Sequence, residues 1–344
     1  MAADGSTRAE EYRRLIERYA TGDSSAPAIL ASWPGVDLAV VAAPAGSAAP
    51  RENWAGAVLA LHTAALLLNV ERGNEATALI DAGGALAGGP GPGEDFARSW
   101  HLAAGYLRQS FGSHDRAFQH YRSALQLHHD DPESLLARAT ALEYSVLPDG
   151  YGAVPVAADE VWSFMECDGR APDGLAARLA HPERASTSLR WRLLELLVRQ
   201  YRDVLARDGS LVEARLRLGR VQAAYGLQKE AAAGFRSVAS EATDPFLVSI
   251  AHLCLARLSG EDAQAVAEYQ AAIQTEPSLR PAWVGLSHAL HGQGDREAAL
   301  AALERAFVLE GDRSPNPWVE YHLGRGRAFP RALAALRAVI TADR

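Results

Sequence analysis

Two histidine clusters are the residues of this sequence best placed to bind a metal ion or to transfer protons. His128 and His129 are followed directly by two aspartates, and these ligand types suit divalent transition metals. Adjacent helical residues project about 100° apart, so these imidazoles do not easily share one ion, and a helix end favours histidine electrostatically. His288 and His291 can share a helix face, but no carboxylate or cysteine has a matching spacing. We therefore predict no metal site.

The motifs of nucleophilic and phosphate-transfer enzymes are missing from the sequence. Lys229 is its only lysine, and it does not follow a glycine-rich loop as the lysine of a Walker A motif does. Schiff-base and Ser–Lys chemistry are excluded on the same ground. No G-x-S-x-G, H-E-x-x-H or C-x-x-C motif occurs. We predict a protein without catalytic residues, cofactor or enzymatic activity. One alternative stays open, an enzyme accessory with a composite site that joins His288 to distant carboxylates.

The composition is that of a folded acidic protein. Its 344 residues are 48% hydrophobic and carry a formal net charge of −8, whereas binders of nucleic acids and membrane surfaces normally carry excess positive charge. No apolar run reaches the roughly 18 to 20 residues of a membrane-spanning helix. The first ten residues lack the apolar core of a secretory signal. We expect a soluble, cytoplasmic bacterial protein that binds no nucleic acid, with export after removal of a leader as the alternative.

A period of 34 residues organises the second half of the chain. Glycines, alanines, large apolar residues and small apolar residues each recur at this interval, and four columns in one register indicate stacked repeats. The columns are Gly226, Gly260 and Gly294; Ala231, Ala265 and Ala299; Phe235, Tyr269 and Leu303; and Val238, Ala272 and Ala306.

Each repeat has the pattern of two short amphipathic helices around a glycine turn. In residues 280–311, Trp283, Leu286 and Leu290 follow the i, i+3, i+7 spacing of one apolar helix face. Gly294 can end this helix in a left-handed conformation, and the next helix follows at once. Phe307 and the smaller apolar residues of the second helix are expected to face back onto the first. Because neither helix can bury its apolar face alone, neighbouring repeats must stack.

These units resemble the tetratricopeptide repeat (TPR) family, with Ser287 where the family pattern has a glycine. The resemblance implies an all-α fold, an α-solenoid of stacked antiparallel helix pairs in a right-handed superhelix that holds protein partners. It covers about half of the chain. The matching residues are Trp283, Leu286, Gly294, Ala299, Leu303, Ala306 and Phe307 in the last unit, Leu218, Gly219, Gly226, Ala231 and Phe235 in an earlier one, and Gly105, Gly112, Ala117, Tyr121 and Ala124 upstream.

The repeat pattern divides the chain into five segments. We predict an N-terminal helical cap and linker over 1–50, TPR-like repeats over 51–144 and 188–311, and C-terminal capping helices over 312–344. Prolines and glycines interrupt the helices of 145–187, which is either an inserted recognition element or an irregular helix pair that completes the stack. As a recognition element, this segment would contact a partner through Trp162, Phe164 and Met165.

Resemblance to the family implies that partners bind on the first helix of each repeat, in the concave groove. Arg217 and Arg220 lie three residues apart, a geometry suited to a carboxylate. Residues 183–236 hold 11 basic and 6 acidic residues, a net charge of +5, which indicates an acidic partner surface; a solvated, arginine-rich helix face is the alternative. The expected partner-binding residues are Tyr106, Gln109, Glu213, Arg217, Arg220, Val284 and His288.

The predicted function is therefore that of a non-catalytic scaffold or adaptor, which binds a partner peptide or protein. The alternative is a structural subunit or assembly factor of a larger enzyme complex. A subunit of that kind would carry a large apolar interface.

Overall fold

The structure, a computed structural model, consists of α-helices and their connections in the part of the chain that it describes. No strand occurs in those ranges, and none of the described helices is long and apolar enough to cross a membrane. The described residues are 2–35, 50–68, 72–87, 93–110, 113–147, 182–259, 263–310, 317, 321 and 325–342.

Fifteen helices lie within the described ranges. They are α1 Ala2–Ala20, α2 Ala26–Ala31, α3 Pro50–Leu68, α4 Gly73–Ala87, α5 Glu94–Ser110, α6 His114–Leu127, α7 Pro132–Val146, α8 Pro182–Arg207, α9 Val212–Ala224, α10 Gln228–Glu241, α11 Pro245–Ser259, α12 Ala263–Thr275, α13 Arg280–Gly292, α14 Arg296–Glu310 and α15 Arg325–Ala342.

The chain forms two compact units, and the first is discontinuous in sequence. It contains residues Met1–Ala137 together with Gly324–Arg344. Helices α3 and α4 form one pair and α5 and α6 the next, with α1 and α2 packed on α3. The role of the two N-terminal helices as a cap on the repeats stays a prediction.

The second unit, Arg138–Leu323, holds three further helix pairs. These are α9 with α10, α11 with α12 and α13 with α14, and α8 packs on α9. The second helix of one pair packs on the first helix of the next, as α10 does on α11 and α12 on α13. The predicted all-α fold of stacked helix pairs is confirmed.

Two backbone features explain why the repeat keeps its glycines. Gly226 and Gly294 end their helices with φ of 91° and 86°, in the left-handed region that favours glycine. Gly219 lies inside α9 because a Cβ there would come within 2.7 Å of the Phe235 ring of α10. The repeated alanine Ala231 is fully buried in the same pair. The glycine and alanine columns therefore allow the two helices of a pair to approach closely.

The C-terminal helix does not follow the prediction of a cap on the last repeat. Helix α15 packs against α5, α3 and α1, and so belongs to the first unit. Its apolar residues lie on one face of the helix, and this face packs on the first helices α3 and α5. The predicted boundary at residue 187 falls inside α8, which begins at Pro182.

Candidate functional site

The arginine pair of α9, expected to bind an acidic ligand, is buried. Arg217 is 1% exposed and Arg220 is 7% exposed. Both guanidinium groups bind the carboxylate of Glu143 in α7, Arg217 at 3.1 Å and Arg220 at 2.6 Å. The prediction that this pair faces an open groove is wrong, because the carboxylate that suits its geometry comes from the chain itself.

Other polar groups complete this buried cluster in the second unit. Glu213, one turn before Arg217, lies 2.9 Å from its guanidinium group, and the Tyr201 hydroxyl donates to Glu143. Burial alone would lower the pKa of Arg217, but its neighbours Tyr321, Glu143 and Glu213 reverse this effect and raise it above its ordinary value. Two arginines and two glutamates give a net charge of zero, so the cluster offers no excess positive charge to an acidic ligand.

Tyr321 lies against the same two arginines. The guanidinium carbons of Arg217 and Arg220 are 4.3 and 5.0 Å from its ring centroid, within the range of cation–π attraction. Arg217 also donates a hydrogen bond to the backbone carbonyl of Tyr321. A residue of the chain's own C-terminal part therefore covers the position expected for a partner.

The expected groove residues of α5 are buried as well. The ring of Tyr106 packs edge-on against Tyr121 of α6, with centroids 5.7 Å apart, and the Tyr121 hydroxyl donates to Gln109 Oε1 at 2.8 Å. Tyr106 and Gln109 are both among the buried residues of the first unit. They are therefore not open to a partner in this structure, because α6 covers them and α15 packs on the same helix; their contact with a partner stays a prediction.

The remaining expected residues, Val284 and His288, are exposed on α13. They line a depression of about 570 Å³ between α13 and α14. Val284 is 43% exposed and Leu300, facing it from α14, is 57% exposed. The lining residues are Val284, Ser287, His288, His291, Arg296, Ala299, Leu300 and Leu303.

The side chains of this α13–α14 depression follow two helical stripes. Val284, His288 and His291 have the i, i+4, i+7 spacing on α13, whereas Leu300 and Leu303 begin an i, i+3, i+7 stripe on α14. Arg296 and the two histidines supply its ionisable groups, and no carboxylate occurs among the described residues that line it. The depression thus combines an apolar floor with groups that favour negative charge.

Phe307 completes the stripe of α14 and was expected to pack back onto α13. It is instead 60% exposed, and its neighbour Val308 is 62% exposed. Sequence reasoning missed Leu300, Phe307 and Val308 as surface residues because the same spacing describes a helix face that a neighbour covers. The only signal was their position in the last pair of the repeat array.

α13 differs from the other first helices of the second unit. No residue of α9 is exposed, and in α11 the exposed residues are Pro245 and Arg257, near its two ends. The middle of α13, by contrast, exposes Val284 and His288, and its C-terminal turn exposes His291. Its outward face is therefore the part of the predicted first-helix surface that a partner can reach.

A histidine pair in the first unit is a further ionisable site. The Nδ1 atoms of His101 and His120 are 3.2 Å apart, and Trp100 lies edge-on to both rings. The pKa of His120 is lowered to about 4, mainly by burial and to a smaller extent by the positive potential of His101 and Arg108. Across the described residues, no group of three or more histidine, cysteine or acidic side chains could hold a metal ion.

Several predicted positions were less informative. Trp162, Phe164 and Met165 lie outside the described residues. His128 lies at the C-terminal cap of α6, where a helix end was expected.

Comparisons with known proteins bear on the fold. No family model matches the chain, and no curated protein is similar in sequence. Among solved structures, a MamA fragment from Desulfovibrio magneticus RS-1 is 15% identical with a TM-score of 0.38, and covers 64% of this chain and 98% of its own. PilF of Pseudomonas aeruginosa is 13% identical with a TM-score of 0.45, covering 71% and 90%. Human IFIT1, a dimer with PPP-AAAA, is 13% identical with a TM-score of 0.42, covering 88% and 64%.

The helix pairs themselves define the fold. A 34-residue period, a left-handed glycine between the helices of a pair and a glycine beneath the aromatic ring of Phe235 occur together in the second unit. The chain has a TPR-like fold of stacked helix pairs.

Proposed function

We propose that the protein is a non-catalytic interaction scaffold and that the α13–α14 depression binds an amphipathic helix of a partner protein. The exposed apolar residues of this depression, above all Leu300, carry the proposal. An apolar side chain that is more than half exposed gains free energy when a partner covers it, about 25 cal/mol for each Å² of apolar area.

The shape of the depression favours a helical ligand. A bound helix presents apolar side chains at i, i+3 or i+4 and i+7, and the two stripes of the depression have these same spacings. Val284 on one side and Leu300 on the other are positioned to contact a helix laid between them.

The charges of the depression favour acidic residues beside the apolar stripe of the ligand. Arg296 is positively charged, and His288 and His291 add positive charge when protonated. The expectation of an acidic partner therefore moves from the buried pair Arg217 and Arg220 to this surface. Because attraction between exposed charges is screened by salt, binding weakens as the salt concentration rises.

A permanent structural subunit is the second candidate. Phe307 and Val308 extend the apolar surface beyond the depression, and large exposed apolar patches are typical of stable interfaces. A stable interface would bury Phe307 as well as Leu300, whereas a single bound helix would need only the depression.

Affinity capture from native lysate with wild-type protein and three variants tests the proposal. Leu300→Glu places a charge in the depression, and Ala301→Glu places the same charge at the next exposed position of α14 as a matched control. We expect wild type and Ala301→Glu to recover a stoichiometric partner. Leu300→Glu should recover at least about tenfold less of this partner, and added salt should progressively reduce its recovery by wild type. Equal recovery with Leu300→Glu, or no stoichiometric partner with wild type, would contradict the proposal.

A third variant separates the two candidates. Phe307→Glu should leave the capture of a helical ligand within about threefold of wild type. Loss of the partner with Phe307→Glu as well as Leu300→Glu, in a complex that resists salt, would indicate a permanent subunit interface.

A further inference from the structure

The C-terminal helix of the first unit packs as a bound ligand does. Helix α15 contacts α5 most extensively, then α3 and α1. Its contacts with the second helices of these pairs, α4 and α6, are few or none. α15 therefore lies on the side of the unit that the first helices form.

An apolar stripe fixes α15 on this surface. Phe329, Leu333, Leu336 and Ile340 have the spacing i, i+4, i+7, i+11, and all four are buried. The other side of the helix is exposed, including Val339. Among the described side chains of α15, one buried stripe opposite exposed residues is the pattern of an amphipathic helix bound in an apolar groove.

Few polar contacts add to this stripe. Arg51 of α3 donates to the carbonyl of Ile340 at 3.1 Å. The guanidinium carbon of Arg337 lies 5.2 Å from the ring centroid of Tyr19 in α1. Both contacts involve the C-terminal half of α15.

The two helices beneath α15 contain buried polar atoms that this packing does not satisfy. Asn53 Oδ1 on α3 and Gln109 Nε2 and Arg108 Nη1 on α5 are buried without a hydrogen-bond partner among the described residues. A buried polar atom without a partner destabilises the state that buries it. α3 and α5 therefore hold unpaired polar atoms in the state that α15 covers.

We propose that α3 and α5 form a second helix-binding surface, with α15 as its internal ligand. Its external ligand is an amphipathic helix of a partner protein, with apolar residues at the i, i+4, i+7, i+11 spacing of α15. Because α15 is tethered, it competes at an effective concentration on the order of millimolar, so the surface opens only to a ligand that outcompetes it. This surface lies in the first unit and does not depend on the α13–α14 depression.

A labelled peptide with the sequence of residues 325–342 serves as the probe on the full-length chain. In Leu336→Ala the tethered helix loses its most deeply buried side chain, and in the control Val339→Ala it loses an exposed one. We expect the peptide to bind Leu336→Ala at least about tenfold more tightly than wild type or Val339→Ala. A peptide with Leu333→Glu and Leu336→Glu should not bind. Equal, undetectable binding to a folded Leu336→Ala chain would overturn the proposal.

Hydrogen exchange of the wild-type chain tests release of α15 without a substitution that might unfold the unit. We expect the amides of α15 to exchange together and at least about tenfold faster than those of α5. Exchange of both helices at one common rate would indicate that α15 is a permanent part of the core and would contradict the proposal. A dimer formed by Leu336→Ala without peptide would identify a second copy as the occupant and would also contradict the proposal. Leu300→Glu should leave every one of these results unchanged.

Discussion

Replacement of Glu143 by glutamine tests the buried charge cluster of the second unit. Glu143 accepts hydrogen bonds from Arg217, Arg220 and Tyr201 and is itself buried. Glu143→Gln keeps the size of the side chain but removes its charge. The two buried guanidinium groups are then left with one carboxylate, that of Glu213.

The expected loss of stability is that of a buried ion pair from which one partner has been removed. An uncompensated buried charge typically destabilises a protein by about 3–5 kcal/mol. That is a large share of the roughly 5–15 kcal/mol by which a protein of ordinary stability is folded. Glu241→Gln is the matched control, because Glu241 pairs with Arg215 but is mostly exposed, so its loss should destabilise the chain much less than the loss of Glu143.

Hydrogen exchange followed by mass spectrometry gives the free energy of opening for each helix, which a single unfolding curve of a two-unit chain does not. For Glu143→Gln, we expect the opening free energy of α9 to fall by about 3 kcal/mol or more, while that of α5 in the first unit stays unchanged. A decrease below about 1 kcal/mol in α9 would refute the reasoning. So would an equal decrease in Glu241→Gln.

Two further predictions concern packing and pH. Gly219→Ala should lower the free energy of unfolding by about 1–3 kcal/mol and thereby the urea midpoint, since the new Cβ would lie 2.7 Å from Phe235. Gly234→Ala should leave the midpoint unchanged, because its nearest contact is at 3.8 Å. The first unit should lose stability as the pH falls from 6.5 towards 4, because His120 takes up a proton at its ordinary pKa only in the unfolded chain. A folded pKa of about 4 corresponds to a loss of roughly 3 kcal/mol in the free energy of unfolding, complete near pH 4. His120→Gln should reduce this dependence in a pH series of urea titrations and leave the part due to His62 and His101, whose pKa values burial also lowers, whereas the exposed His129→Gln should not change it.

The fold could be predicted from the sequence because its determinants are local. Gly226 and Gly294 end their helices by their own backbone conformation, and Gly219 and Phe235 meet within one helix pair. The glycine between the two helices recurs with the 34-residue period, at Gly226, Gly260 and Gly294. The helix pairs were predictable for that reason, even where individual helix ends differ by a few residues.

The exposure of site residues was not predictable because it depends on distant partners. Arg217 and Arg220 have the spacing of a carboxylate-binding pair, but Glu143 lies 74 residues before Arg217 and is joined to it through the undescribed segment 148–181. α15 likewise finds its surface far away in sequence, since Arg51 and Ile340 are 289 residues apart. No periodicity in the sequence encodes these contacts.

One physical property distinguishes the expected residues that remain candidates from those that do not. The first helices of stacked pairs have apolar and polar residues of similar types, and a partner reaches them directly only where the chain leaves them uncovered. On α9, an internal carboxylate and Tyr321 satisfy the arginines, so a partner would have to break a neutral, buried cluster before binding. On α13, Val284 and His288 are already exposed beside Leu300, so a partner buries apolar area without first breaking an ion pair. The proposed binding at α13 therefore has a lower desolvation cost than binding at α9 would have.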